Sequence, residues 1–220
     1  MRNKFDMQLE RLSEQLIFMG SLCEKAIANA TKALRNGDLE LAKLVMSEDE
    51  EIDQIEKDIE RLFLKLLLQQ QPVARDLRQI SAALKMITDM ERIGDQTSDI
   101  AEIIISAGMS EARDISVIGT MAEATSKMVH DSILAYVNKD LEMAQKVMLA
   151  DDEVDRMFEL VKAKLVELIL KDGGKQGEKA IDLIMITKYL ERIGDHATNI
   201  AEWVEFSITG VHKDGQLVER

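Results

Sequence analysis

The residues in this chain with most chemistry to offer are carboxylates at helical spacing. Glu91, Asp95, Asp99 and Glu102 stand at i, i+4, i+8 and i+11. At about 100° per residue a helix gathers them within about 80° of one another, which makes one acidic stripe. The stripe recurs as Glu191, Asp195 and Glu202, with Asn199 in the place of Asp99. A second acidic row accompanies each stripe: Asp49 and Asp53, continued by Glu56 and Glu60, in the first half, and Asp151 and Asp155 in the second. If the two helices of each half lie side by side, four or five oxygen side chains converge, and like charges that close repel unless a cation or water separates them. Oxygen-only sites suit hard cations such as Mg, Ca, Mn or Fe, and the lone cysteine excludes a zinc–sulfur site.

The bland alternative is a solvated helix face, in which a Lys or Arg at i+4 turns each carboxylate into an ordinary ion pair. Here the i+4 neighbour of both Glu91 and Asp95 is another Asp, which destabilises a bare helix. Recurrence in both halves favours metal binding. Gly94 and Gly194, in the middle of each stripe, cost about 1 kcal/mol against Ala in a helix interior, so close approach of a neighbouring helix is the expected compensation. His196, at the position of Gln96, is read as a polar surface residue beside the stripe. No Glu-x-x-His pair, Ser-His-Asp grouping or Gly-rich phosphate loop accompanies these residues, so neither a ferritin-like di-iron core nor a nucleotide site is written here.

The elements that must position the carboxylates follow from the repeat. Residues 91–102, ERIGDQTSDIAE, and 191–202, ERIGDHATNIAE, share eight of twelve positions, which signals two copies of one structural unit. Leu9, Leu12, Leu16, Met19, Cys23, Ile27 and Leu34 set the apolar face of a first helix over Arg2 to Arg35. Asn36-Gly37-Asp38 ends it, Gly37 taking a left-handed position and Asp38 capping the next helix. That second helix runs from about Leu39 to Gln70 and stops at Pro72, and a third runs from Ala74 to about Ala107, closed by Gly108. In the second copy a helix over Ser110 to Val137 ends at Asn138-Lys139-Asp140, the next is read as opening with DDEVD at 151–155, and the last runs to about Thr209. The offset between copies changes from 102 to 100 residues where Gln69 to Ile80 gives way to Lys171-Asp172-Gly173-Gly174-Lys175, an indel of the kind a loop tolerates. The expectation is an all-α chain of six long helices, about 28 to 34 residues each, in two tandem three-helix bundles. The expected units are 1–108 and 109–210, followed by a polar tail at 211–220.

A formal charge of −13 repels nucleic acid and anionic lipid and leaves cations and basic protein surfaces as partners. One cysteine, Cys23, precludes an intrachain disulfide and reads as a packed thiol in a reducing compartment. With no signal-peptide core and no uncharged apolar run of about 18 residues, a soluble cytoplasmic protein is expected. Arg75, Asp76 and Arg78 after Pro72 read as capping and ion pairing at a helix start, with an interaction corner as the alternative.

The PVARDLR corner at 72–78, the ERIGD helix after it and the second ERIGD helix a hundred residues on resemble the PhoU family of phosphate-transport accessory regulators over nearly the whole chain. The resemblance implies two similar three-helix bundles with multinuclear metal clusters on E(D)xxxD motifs. By position these fall on Asp49, Asp53, Glu91, Asp95 and Asp99, and on Asp151, Asp155, Glu191, Asp195 and Asn199. Asn199 breaks the acidic pattern and the PVARDLR corner has no second copy, so the halves are similar but not equivalent. Iron stands first among the implied ions, with manganese, magnesium or zinc as alternatives. The resemblance also implies a non-enzymatic, cytoplasmic regulator, peripheral to the membrane through protein partners only, and a homodimer. It would link the ATPase subunit of the phosphate ABC transporter to the phosphate-sensing histidine kinase and act as a negative regulator of the phosphate-starvation response. Against this adaptor stand a carboxylate-bridged multinuclear metal enzyme or metal-storage helical protein, and a purely structural bundle with a solvated acidic face.

Overall fold

The computed structural model describes residues 2–70, 74–109 and 116–211 and consists, over these residues, of six α-helices. They are α1 (Arg2–Asn36), α2 (Leu39–Gln70), α3 (Ala74–Ser106), α4 (Ser116–Asn138), α5 (Leu141–Asp172) and α6 (Gly177–Thr209). Their lengths run from 23 residues in α4 to 35 in α1. The expected start of α4 at Ser110, the stop at Pro72 and the polar tail beyond Val211 fall outside the described residues. The reading that the fifth helix opens with DDEVD is corrected: α5 begins ten residues earlier, at Leu141, because Asp140 caps it there.

The two hinge loops are built alike. Gly37 and Lys139 both have left-handed backbone, φ 65° and 56°. Asp38 Oδ1 accepts the Leu41 amide and Asp140 Oδ1 the Met143 amide, each at 3.0 Å. A left-handed residue followed by an N-capping aspartate reverses the chain in two residues. Glycine does this without strain; lysine does not.

Helices α1, α2 and α3 pack on one another, as do α4, α5 and α6, and the two sets join through α3 against α6 and α1 against α4. Both joining contacts are antiparallel: Asp89 meets Asn199 and Asp99 meets Tyr189 across α3 and α6, while Gly20 meets Ile133 and Glu24 meets His130 across α1 and α4. An approximate two-fold axis therefore runs through the middle of the molecule. One continuous core of Leu, Ile, Met, Val and Ala fills all six helices, with Leu16, Met19, Met86, Met90 and Ile193 fully buried. The buried hydroxyls of Thr97, Thr125, Ser132 and Thr187 each donate to a carbonyl one turn back in their own helix, so they cost little in the core. Cys23 is buried, its thiol directed at the Met90 carbonyl at 3.4 Å and its pKa pushed up to about 12, first by burial. Such a thiol is inert.

Candidate metal centre

The paired acidic rows meet where α2 lies on α3 and where α5 lies on α6. Asp95 and Asp195 are exposed, and Asp49, Asp53, Glu91, Asp99, Asp151 and Glu191 are half-buried; Asp155 and Asn199 are exposed. Ile52, Ile93 and Ile100 on the inner faces are buried, as are Val154, Ile193 and Ile200, so the core stripe sets the rotation of each helix and turns its carboxylates toward the neighbouring row.

The glycines do what their cost suggests. A Cβ on Gly94 would lie 2.7 Å from Asp49 Oδ1 and 3.0 Å from Ile52 Cδ1; on Gly194 it would lie 3.3 Å from Val154 Cγ1 and 3.4 Å from Asp151 Oδ1. Asp49 and Asp151 thus lay one carboxylate oxygen against the bare backbone of the facing helix. Those two oxygens, Asp49 Oδ1 and Asp151 Oδ1, are buried and accept no hydrogen bond. A buried oxygen without a donor carries its full desolvation cost, which a water, a proton or a cation would offset.

The electrostatics of both copies point the same way. Burial pushes Asp49 up to about 6, with Asp95, Asp53, Glu91 and Asp99 adding repulsion. Burial likewise raises Asp151 to about 6, with Asp195, Asp155 and Glu191 adding to it. Glu56 rises to about 7, first through burial and then through Glu91, Glu60 and Asp53. Glu91, Asp95 and Asp195 are raised as well, desolvation again leading. Basic side chains reach into the rows: Lys57 lies 3.5 Å from Asp53, and Lys188 is bonded to Glu191. Among the described residues no three of these carboxylates are placed as a finished ligand set for one ion. The unsatisfied oxygens, the oxygen-only donor set and the raised proton affinities fit a hard cation as counter-charge.

One expectation is corrected at the crossing of α3 and α6, and two of the candidate ligands, Asn199 and Asp99, have partners there. His196 is a buried residue, 8% exposed, rather than a surface one, and its Nδ1 lies 2.9 Å from Asp89 Oδ1. Asn199 donates its Nδ2 to the same Asp89 oxygen at 3.2 Å, so its amide is engaged across the seam. Asp99 is raised, first by burial, and the Tyr189 phenol that bonds to it opposes that rise. Asp89 and Tyr189 occupy the same repeat position, as do Gln96 and His196; the crossing is an Asp–His–Asn cluster at one end and a Tyr–Asp pair at the other. Asp89 and Tyr189 were invisible to a reading of spacing along single helices. Extending the repeat alignment two residues upstream of each ERIGD motif would have brought them into view. Arg78 is also moved from its expected role, since its guanidinium lies against Gly210 at the end of α6, where the helix dipole favours a cation. The side chain of Arg75 and residues Pro72 and Val73 lie outside the described residues.

Two grooves of about 610 and 730 Å³ lie between α1 and α4 and beside the α5–α6 connection. Neither is lined by the acidic rows.

The fold is a tandem six-helix bundle with an acidic face on each half. The PhoU domain matches residues 16–104 and again 118–204, and the chain belongs to the PhoU family. It is similar to a phosphate-specific transport system accessory protein PhoU homolog of Clostridium acetobutylicum, 36% identical over 215 residues that span 97% of this chain and 98% of the relative. The crystal structure of PhoU from Pseudomonas aeruginosa superposes with a TM-score of 0.87 at 33% identity, covering 94% of this chain and all of that one. A Streptococcus pneumoniae phosphate transport system regulatory protein shares the fold, with a TM-score of 0.85 at 24% identity over 94% of this chain and 98% of that one.

Proposed function

We propose that this chain is a non-enzymatic regulator of phosphate uptake and a negative regulator of the phosphate-starvation response, working as a metal-loaded adaptor. Its partners are the ATPase subunit of the phosphate ABC transporter and the phosphate-sensing histidine kinase. Support for the phosphate system comes from relatives named as transport accessory proteins that match nearly the whole chain. No described helix is long and apolar enough to cross a membrane, which fits a subunit that reaches the transporter through protein contacts.

The observation that carries the metal reading is the orphaned, buried oxygen of Asp49 and of Asp151, laid against a helix glycine in each half. Asp49, Asp53, Glu91, Asp95 and Asp99 would hold ions in the first half. Asp151, Asp155, Glu191 and Asp195 would hold them in the second, with the Asn199 amide oxygen as an additional donor. Iron is the first candidate, with manganese, magnesium or zinc next. A bound multivalent cation would cancel the repulsion and offer an electrophilic surface to anionic groups of a partner or to phosphate. Everything else falls to the chain itself: long, stiff helices keep both faces at a fixed separation. A homodimer belongs to the same reading.

Elemental analysis of protein purified without a metal-affinity tag tests it, beside a variant with Glu91, Asp95, Glu191 and Asp195 changed to Ala. Several ions per wild-type chain and at least a tenfold loss in the variant are expected, on the order of 1.4 kcal/mol or more per site. The variant is also expected to derepress a phosphate-starvation reporter and to lose the purified ATPase subunit in pull-down. A metal-free wild type after reconstitution would remove the cofactor from the reading, and an unaffected reporter would remove the regulatory role of these faces.

A further inference from the structure

The two acidic faces differ at the positions that set their charge. At an offset of 102 residues the row Asp49, Asp53, Glu56, Glu60 on α2 becomes Asp151, Asp155, Phe158, Lys162 on α5. At an offset of 100, Thr88, Glu91 and Asp95 on α3 become Lys188, Glu191 and Asp195 on α6. A carboxylate is thus replaced by a phenyl ring on one side of the second face and a hydroxyl by an ammonium on the other.

These replacements act together. Lys188 Nζ donates to Glu191 Oε2, a side chain only 14% exposed, and lies 5.5 Å from the centroid of the Phe158 ring. Lys162, bonded to Glu159 at 2.9 Å, takes another position over the same ring at 5.8 Å. A desolvated carboxylate and an aromatic face are both favourable to an ammonium. In the first copy the corresponding space holds Glu56, whose charge opposes that of Glu91.

We infer that Lys188, seated between Glu191 and Phe158, is the resident cation of the second face, a tethered ammonium occupying charge that in the first face is left for ions from solution. The inference rests on the metal reading above and deepens it: the first face fills first and more tightly, while filling the second requires displacing Lys188. The pair is therefore graded, with one face loaded at low metal concentration and the other only at high concentration.

Mn²⁺ titration followed by the electron paramagnetic resonance of the free ion measures this directly, with melting in EDTA as a metal-free arm. Wild type should show a tight class of sites abolished by Asp49→Asn with Asp95→Asn, and a class at least about tenfold weaker abolished by Asp151→Asn with Asp195→Asn. Lys188→Met should tighten the weak class about tenfold and, in EDTA, lower the melting temperature in a manner reversed by salt. Lys188→Arg should preserve wild-type behaviour on both counts. The transplant Thr88→Lys with Glu56→Phe should weaken the first face toward the second. Two site classes of equal affinity, or a Lys188→Met chain that binds Mn²⁺ and melts as wild type does, would overturn the proposal. A wild type that takes up no Mn²⁺ overturns the metal reading and the graded filling with it. The EDTA arm then judges the resident ammonium alone, and an unchanged melting temperature overturns that too.

Discussion

A carboxyl group whose pKa is higher in the folded chain than in the unfolded one holds its proton longer when folded. Its contribution is therefore most favourable below the unfolded value and is lost as pH rises through the folded value. Asp49 and Asp151, raised from 3.8 to about 6, and Glu56, raised from 4.5 to about 7, all have this sign. Metal-free protein should accordingly melt at a lower temperature at pH 7.5 than at pH 5. Asp49→Asn with Glu56→Gln should flatten that slope, and thermal melting in EDTA across this range checks both. The two stripe glycines make a second prediction at this scale. Gly194→Ala meets one tight contact, 3.3 Å from Val154 Cγ1, which a shift of a few tenths of an ångström relieves, and should keep part of the roughly 1 kcal/mol of helix stability that alanine brings. Gly94→Ala puts a methyl group 2.7 Å from Asp49 Oδ1, so that gain should be largely lost and Asp49 pushed off its site. Denaturant melts of the pair, with metal titration of each, separate the two effects.

Among the elements, the hinge loops were the most legible. Asn-Gly-Asp announces a left-handed residue followed by a cap, and the backbone and hydrogen bonds at Gly37 and Asp38 follow that order, as they do at Lys139 and Asp140 in the aligned second loop. Lys139→Gly should stabilise the chain by about 0.5 kcal/mol, the relief of left-handed strain less the extra chain entropy of glycine, measurable by chemical denaturation. The acidic stripes and their glycine contacts were legible too, because residues four apart share a helix face whatever the helix packs on. The Asp89–His196 bridge was not: its partners are 107 residues apart in sequence, and only the angle at which α3 crosses α6 brings them together. The beginning of α5 was misread for a different reason. DDEVD looks like a helix start by its charge, but the capping aspartate, Asp140, stands eleven residues earlier and decides the matter.

For the molecule as a whole, the junction between halves rests on close helix contacts that no motif marked. A Cβ at Gly20 would lie 2.2 Å from Ile133 Cδ1, a side chain that is 3% exposed. Gly20→Ala should therefore cost about 1–3 kcal/mol through overpacking. Because it forces α1 from α4, it should also change the orientation of the two acidic faces, which small-angle scattering beside a melting curve would register; Gly119→Ala, on α4 with open space around it, is the control. The approximate two-fold axis has a consequence for inheritance. In a symmetric pair of identical three-helix chains, every seam contact is encoded once and appears twice, so an aspartate bridging to a histidine would do so at both ends. Joining the two copies in one gene removes that obligation. Asp89 can answer His196 at one end while Tyr189 answers Asp99 at the other, and either half can accept a substitution that the other never experiences.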